Sequence, residues 1–265
     1  MGLMDGKVVL IFGVANKNSI AWGIAKKLHE HGATITLSYA AENLERRIMP
    51  LAEQIGCDFV ELCDVSKDED LDNLFAKVEK RFGKIDTMVH AIAFAKREDM
   101  DGNFVDISRD GFHLALDVSA YSLIAMSKRA VPLMVDGGSI MSMSYYAAEK
   151  VMPQYHVMAI AKAALENITM YLADDLGSKN IRVNAISAGA IKTLAAAGVP
   201  SFKLLFKYAE MVTPLRRLVT PEDVGDTALW LASDLSRAVT GEIIHVDAGY
   251  NILGLTLDPT NPAGD

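Results

Sequence analysis

Cysteine is nearly absent from this chain. The two in 265 residues, Cys57 and Cys63, form no C-x-x-C pair and no His/Cys group at zinc spacing. That argues against a disulfide framework or a structural metal, and it fits a reducing compartment. An excess of positive charge is missing too. Lys and Arg total 26 against 34 Asp and Glu, a formal net charge of −8, which argues against a nucleic-acid partner held on a broad basic face. Long apolar runs are also lacking. No stretch approaches the ~18 uninterrupted apolar residues of a membrane span. The first run, Val8–Phe12, has five residues, too few for the core of a signal peptide. A cytoplasmic protein with no membrane segment is expected.

What the chain does have is apolar mass, 51% of its residues, enough for a sizeable core. That mass comes in short runs separated by longer amphipathic stretches. Lys7–Phe12, Thr34–Ser38, Asp58–Leu62, Thr87–Ala91, Ser139–Met143, Arg182–Ile186 and Glu242–Val246 read as strands. Ile20–His31, Glu42–Ile55, Lys67–Phe82, Gly111–Val131, Gln154–Leu176 and Pro221–Leu231 read as the helices between them. Strands alternating with helices predict parallel pairing through right-handed crossovers. The expected fold is α/β: a single doubly wound Rossmann-type domain over residues 1–256, its seven-stranded parallel sheet covered by helices on both faces. Two segments break the alternation. Thr193–Met211 is rich in alanine and reads as a helical excursion beside the site. Leu257–Asp265, with two prolines and little to bury, reads as a loose tail.

Ligands of an open parallel sheet gather beyond the carboxyl ends of its strands. The first strand ends at Gly13, followed by a loop reaching Ser19, Ile20 and Gly23, longer than G-x-G-x-x-G. Gly13 suits a tight turn, Ser19 suits a helix cap, and the helix start favours a pyrophosphate. Asp64 and Val65 end the third strand, where a carboxylate could accept from an adenine amino group. Ile92 lies between Ala91 and Ala93, small residues that let a flat cofactor approach the backbone. After the sixth strand, Ile191-Lys192-Thr193 offers backbone groups to a carboxamide and a hydroxyl to a phosphate. Tyr39-Ala40-Ala41-Glu42 supplies no cation for a 2′-phosphate, and Arg46 and Arg47 come one or two helical turns later. NADH is therefore expected over NADPH.

Two Tyr/Lys pairs compete for the chemistry. Tyr146 and Lys150 are four apart, and Tyr155 and Lys162 are seven apart. Pro153 belongs in the first turn of a helix and disrupts its interior. The helix thus starts near Pro153, which leaves Tyr146 and Lys150 in a loop and puts Tyr155 and Lys162 two turns apart on one face. A phenol can donate to an oxygen that becomes enolate-like. A lysine can hold ribose hydroxyls and, by its charge, lower the phenol's pKa.

G-x5-S-I-x-x-G at Gly13–Gly23, H-x-I-x-F-A at His90–Ala95, S-Y-x-x-A-E at Ser144–Glu149, Y-x6-K at Tyr155–Lys162 and R-V-N-A-I-S-A-G at Arg182–Gly189 together resemble the bacterial enoyl-[acyl-carrier-protein] reductases. These are a divergent branch of the short-chain dehydrogenase/reductases. The resemblance implies reduction of a trans-2-enoyl thioester by NADH in fatty acid biosynthesis. It implies that Tyr155 meets the substrate carbonyl, that Tyr145 is a second active-site tyrosine, and that Ala95 lines the acyl pocket with them. Lys162 would bind the cofactor together with Gly13, Ser19, Ile20, Asp64, Val65, Ile92, Ile191, Lys192, Thr193, Leu194 and Ala195. Ala40 stands at a cofactor position that is often glutamine in NADH-using relatives. Ala91 and Ala93 replace a common serine and glycine. The residues 193–211 resemble the family's mobile substrate-binding loop. A homotetramer is implied, with acyl carrier protein as the partner. That carrier is acidic, so Lys203, Lys207, Arg216 and Arg217 are expected to flank the pocket mouth.

Overall fold

A computed structural model describes residues 2–193 and 202–254. Its strands are β1 (Val8–Phe12), β2 (Thr34–Tyr39), β3 (Val60–Leu62), β4 (Thr87–His90), β5 (Gly138–Ser144), β6 (Ile181–Ala188) and β7 (Ile243–Val246). They form one seven-stranded sheet in the order β3-β2-β1-β4-β5-β6-β7, every pair parallel. The helices are α1 (Ile20–Glu30), α2 (Glu45–Gln54), α3 (Asp68–Phe82), α4 (Arg109–Leu116), α5 (Ser122–Ala130), α6 (His156–Gly177), α7 (Phe202–Val212) and α8 (Pro221–Ala232). The expected doubly wound fold is the one observed. The proposed tail, residues 257–265, lies outside the described residues.

Strand β1 shows why the sheet needs two helical layers. Val9 and Ile11 point to a core with Ile24 and Leu28 of α1, Leu51 of α2 and Val224 of α8. Leu10 and Phe12 point the other way, to Leu71 and Phe75 of α3, Met126 of α5 and Leu165 of α6. Each fully buried Leu, Ile or Phe contributes about 1.5–3 kcal/mol. An exposed ion pair such as Lys77–Glu61 contributes ~0–1 kcal/mol. The two apolar faces, and not the surface charges, therefore hold the sheet.

One expected helix is broken. The stretch 111–131 was expected to be continuous, yet a π-turn over Asp117–Tyr121 separates α4 from α5. Polar side chains account for the break. Ser122 donates its hydroxyl to the Val118 carbonyl at 2.7 Å, and Ser119 turns to the loop after β4. Such π-turns cluster at functional sites.

Strand order reverses at β1, which has β2 on one side and β4 on the other. A crevice opens there, beyond Gly13 and Ala91. Helix α1, which follows that crevice, lies against α8. A Cβ on Gly23 would come within 2.4 Å of the Pro221 carbonyl oxygen, so only glycine permits this approach.

Candidate active site

Gly13 has φ +97, and an added Cβ would sit 2.0 Å from the Ala91 carbonyl oxygen. Glycine is thus required twice over, by conformation and by space. Ser19 departs from expectation. It occupies the N-cap position of α1, but its hydroxyl accepts from the amides of Ala15 and Asn16, both at 3.0 Å, and it makes no cap bond. It is buried and braces the loop. The opening amides of α1, from Ile20 on, thus have no side-chain acceptor, the condition under which a helix start takes an anion.

The parallel sheet brings the other proposed cofactor residues to this same edge. Asp64 accepts from the Ser66 amide at 3.1 Å and its hydroxyl at 2.7 Å, with the Lys67 ammonium at 3.4 Å. Burial pushes its carboxyl up, but Ser66 and Lys67 outweigh that and hold it below the usual carboxylate range. Val65 and Ile191 are buried, Ile92 is half-buried and Ala40 is exposed. Lys192 is exposed, its ammonium 6.0 Å from the Phe206 ring centre. The Thr193 amide donates to the Ile191 carbonyl at 2.8 Å. Leu194 and Ala195 lie outside the described residues.

The two Tyr/Lys pairs have different surroundings. Tyr146 is buried in a short 3-10 turn, donating its hydroxyl to the Asn251 carbonyl at 3.1 Å, and Lys150 is exposed. Tyr155 sits at the N-cap of α6, and its ring meets that of Tyr145 edge-on at 4.9 Å. Lys162, two turns along, is 4% exposed and donates to the Met143 carbonyl at 2.7 Å. That bond uses one of three ammonium donors, so two remain for a diol such as a ribose. Tyr155 is flanked by Gln154 and His156, whose φ angles of +57 and +23 lie in the left-handed region. Such strain costs of order 1–3 kcal/mol per residue and concentrates where a side chain must be aimed.

The expected lowering of the phenol's pKa does not occur. Burial, with a smaller contribution from Tyr145, pushes the Tyr155 hydroxyl well above the usual tyrosine value. Lys162, two turns along, does not offset this. Tyr155 therefore stays a neutral donor throughout the working pH range.

Several participants were not singled out from the sequence. His90 is fully buried, its Nε2 2.7 Å from the Ser122 hydroxyl. Because that hydroxyl already donates to Val118, it accepts from the imidazole. Burial takes the His90 pKa down to about 3, so the ring is neutral, and its buried Nδ1 has no partner among the described residues. Ser119 accepts from the Phe94 amide at 2.9 Å and donates to its carbonyl at 3.2 Å, which pins the segment bearing Ala93 and Ala95. Glu166, one turn beyond Lys162, accepts from the Ser144 hydroxyl. The spacing of a glutamate four residues after Lys162 on the same helix was the signal available.

A cavity next to the tyrosines is lined by Tyr145, Met152, Gly189, Leu205, Ala209 and Tyr250, among others. Tyr145 is the one predicted substrate residue in that lining. Tyr155 and half-buried Ala95 are not part of it. Helix α7, within the expected excursion, contributes Leu205 and Ala209. Two of the four cations expected at the mouth have partners of their own, and one of these, Arg217, also lines the cavity. Arg216 donates to the carbonyls of Met211, Val212 and Thr213, closing the end of α7. Arg217 forms a two-point pair with Asp223, at 2.6 and 2.9 Å. Lys207 is exposed.

A family model described as enoyl-(acyl carrier protein) reductase matches residues 13–251. The chain is 52% identical over 254 residues to enoyl-[acyl-carrier-protein] reductase [NADH] 1 of Rhizobium meliloti, covering 96% of this chain and 93% of the relative. The crystal structure of the Bacillus cereus enoyl-acyl carrier protein reductase with NADP+ and indole naphthyridinone is 50% identical and superposes with a TM-score of 0.94, covering 96% of this chain and 100% of that one. The Anaplasma phagocytophilum reductase in complex with NAD is 46% identical, with a TM-score of 0.93 and coverage of 97% and 98%.

Proposed function

The chain belongs to the enoyl-(acyl carrier protein) reductase family, and from that membership we infer its reaction. It reduces the trans-2 double bond of an enoyl-[acyl-carrier-protein] thioester with NADH, in the elongation cycle of fatty acid biosynthesis. When bound, the nicotinamide supplies the hydride that adds to the β-carbon. Protonation at the α-carbon completes the reduction. The observation that best supports the residue roles is the half-buried Tyr145–Tyr155 contact with Lys162 two turns along α6. The two remaining ammonium donors of Lys162 bind the nicotinamide ribose. The opening amides of α1 take the pyrophosphate, and Asp64 accepts from the adenine amino group. Tyr155 donates to the thioester oxygen as it gains enolate charge. Tyr145 holds that phenol by its ring and borders the acyl cavity.

The test is turnover of enoyl thioesters of increasing chain length, followed by NADH consumption, beside a panel of ketones. Activity confined to the ketones would place the chain with ordinary short-chain dehydrogenases instead. NADPH is run in parallel. Exposed Ala40 and the Ala41-Glu42 step offer no cation to a 2′-phosphate, so kcat/KM should favour NADH by about tenfold or more. A preference for NADPH would instead implicate Arg46 or Arg47.

The acyl carrier protein docks, in this reading, on Lys203 and Lys207 of α7, since Arg216 and Arg217 are already committed. Reversing both lysines to glutamate should raise KM about fivefold for a carrier-linked substrate, and less at high salt. An N-acetylcysteamine thioester should be unaffected; equal effects on both substrates would remove these lysines from the docking site. The homotetramer is supported by exposed apolar residues on neighbouring helices, Ile124 of α5 with Met170 and Tyr171 of α6. Such a patch suits a second copy, and light scattering reports the mass.

A further inference from the structure

Lys162 and Glu166 lie one helical turn apart on the same face of α6, and the end of β5 receives both. The Met143 carbonyl accepts from the Lys162 ammonium at 2.7 Å, and the next residue, Ser144, donates its hydroxyl to Glu166. Without a compensating charge, a buried ammonium bonded to a neutral carbonyl tends to shed its proton. The elements packed around it offer little compensation. His90 from β4 is neutral, and both Tyr145 and Tyr155 are held neutral by burial. Glu149 and His245 pair with each other at 2.8 Å, on the side of Glu166 nearer the surface. Glu166 is the anion that acts on Lys162.

We propose that Glu166 is a positioning residue: its carboxylate, anchored by Ser144, keeps Lys162 an ammonium so that Lys162 can hold the ribose of NADH. This rests on the cofactor role given to Lys162 above. Burial opposes both charges, drawing Lys162 down to about 8 and pushing Glu166 up. The Ser144 hydroxyl works against that rise in Glu166. Lys162 is charged below its pKa, so NADH binding should weaken as pH rises through that value. Removing the anion should start the weakening at a lower pH.

The experiment measures the Kd of NADH by fluorescence from mildly acid to alkaline pH for the native enzyme, Glu166→Gln, Ser144→Ala and Lys162→Met. Glutamine keeps an acceptor for Ser144 and loses only the charge. Its alkaline loss of binding should move about one pH unit lower, which near the native midpoint of about 8 raises Kd about fivefold. At acid pH the two proteins should converge. Ser144→Ala retains the carboxylate and should keep the native alkaline limb. A Glu166→Gln enzyme weakened equally at every pH, or one with an unmoved limb, overturns the proposal. Lys162→Met should bind weakly with no alkaline limb. If it binds as the native enzyme does, the lysine's cofactor role fails and the proposal with it. If it binds weakly while the Glu166→Gln limb stays put, Glu166 alone is excluded.

Discussion

Tyr155→Phe should lower kcat by about 10-fold to 10³-fold, the range for losing one donor to a developing oxyanion. The Kd for NADH should stay within about twofold, because the lost hydroxyl acts mainly on charge that appears in the transition state. The ring remains, edge-on to Tyr145 at 4.9 Å, so the scaffold is preserved. Burial keeps the phenol protonated well beyond neutral pH, so kcat at saturating NADH should show no limb from its ionisation between neutral and mildly alkaline pH. Tyr146→Phe is the matched control. It removes the bond to the Asn251 carbonyl, which costs about 1 kcal/mol of stability, and should leave kcat near native. A crippled Tyr146→Phe beside a mild Tyr155→Phe would reverse the assignment of the two pairs.

Gly13→Ala should lower Tm by roughly 5–20 °C and abolish most NADH binding. A left-handed backbone costs a non-glycine residue about 1–2 kcal/mol. Forcing a methyl against a fixed neighbour adds about 1–3 kcal/mol. Each kcal/mol is worth about 2–4 °C in a chain of this size. The neighbour is the Ala91 carbonyl, 2.0 Å from where the Cβ would be. That carbonyl lies at the end of β4 and cannot move without opening the crevice. Gly6→Ala separates the two contributions, since Gly6 has φ +73 with nothing within 4 Å of an added Cβ. It should lose only the conformational part, a few degrees by the same conversion. Equal losses at Gly6 and Gly13 would show that the Ala91 contact does not matter.

The sheet was legible in the sequence because its strands are buried on both faces. Val8–Phe12 reads as one unbroken apolar run, and the period that assigns Val9 and Leu10 to opposite cores follows from strand geometry alone. Pro153 located the start of α6 to within three residues of His156, since proline's missing donor excludes it from a helix interior. The partners chosen by polar side chains were not legible. Ser19 has the residue type and position of a cap, yet it turns back to Ala15 and Asn16. The break between α4 and α5 depends on Ser119 reaching Phe94, 25 residues away. Arg216 and Arg217 were expected at the pocket mouth, and their acceptors, the carbonyls ending α7 and the Asp223 carboxylate, lie close in sequence but are brought into bonding range by the turn between α7 and α8. The pKa of Tyr155 depends on how deeply the fold buries it, which local sequence does not reveal.

The contact of Gly23 with Pro221 has a consequence for the order in which the enzyme is made. Synthesis delivers the amino-terminal half first, so the glycine loop and α1 emerge early. The helix against which α1 rests begins at residue 221, long after α1 in the chain. Until that helix arrives, the glycine loop exists as sequence without its full support. The crevice is thus completed only once α8 has been made, long after the glycine loop has been released. Contacts between such distant segments slow folding. NADH present while the protein folds would bind chains whose two ends have already met, and would hold them there by mass action.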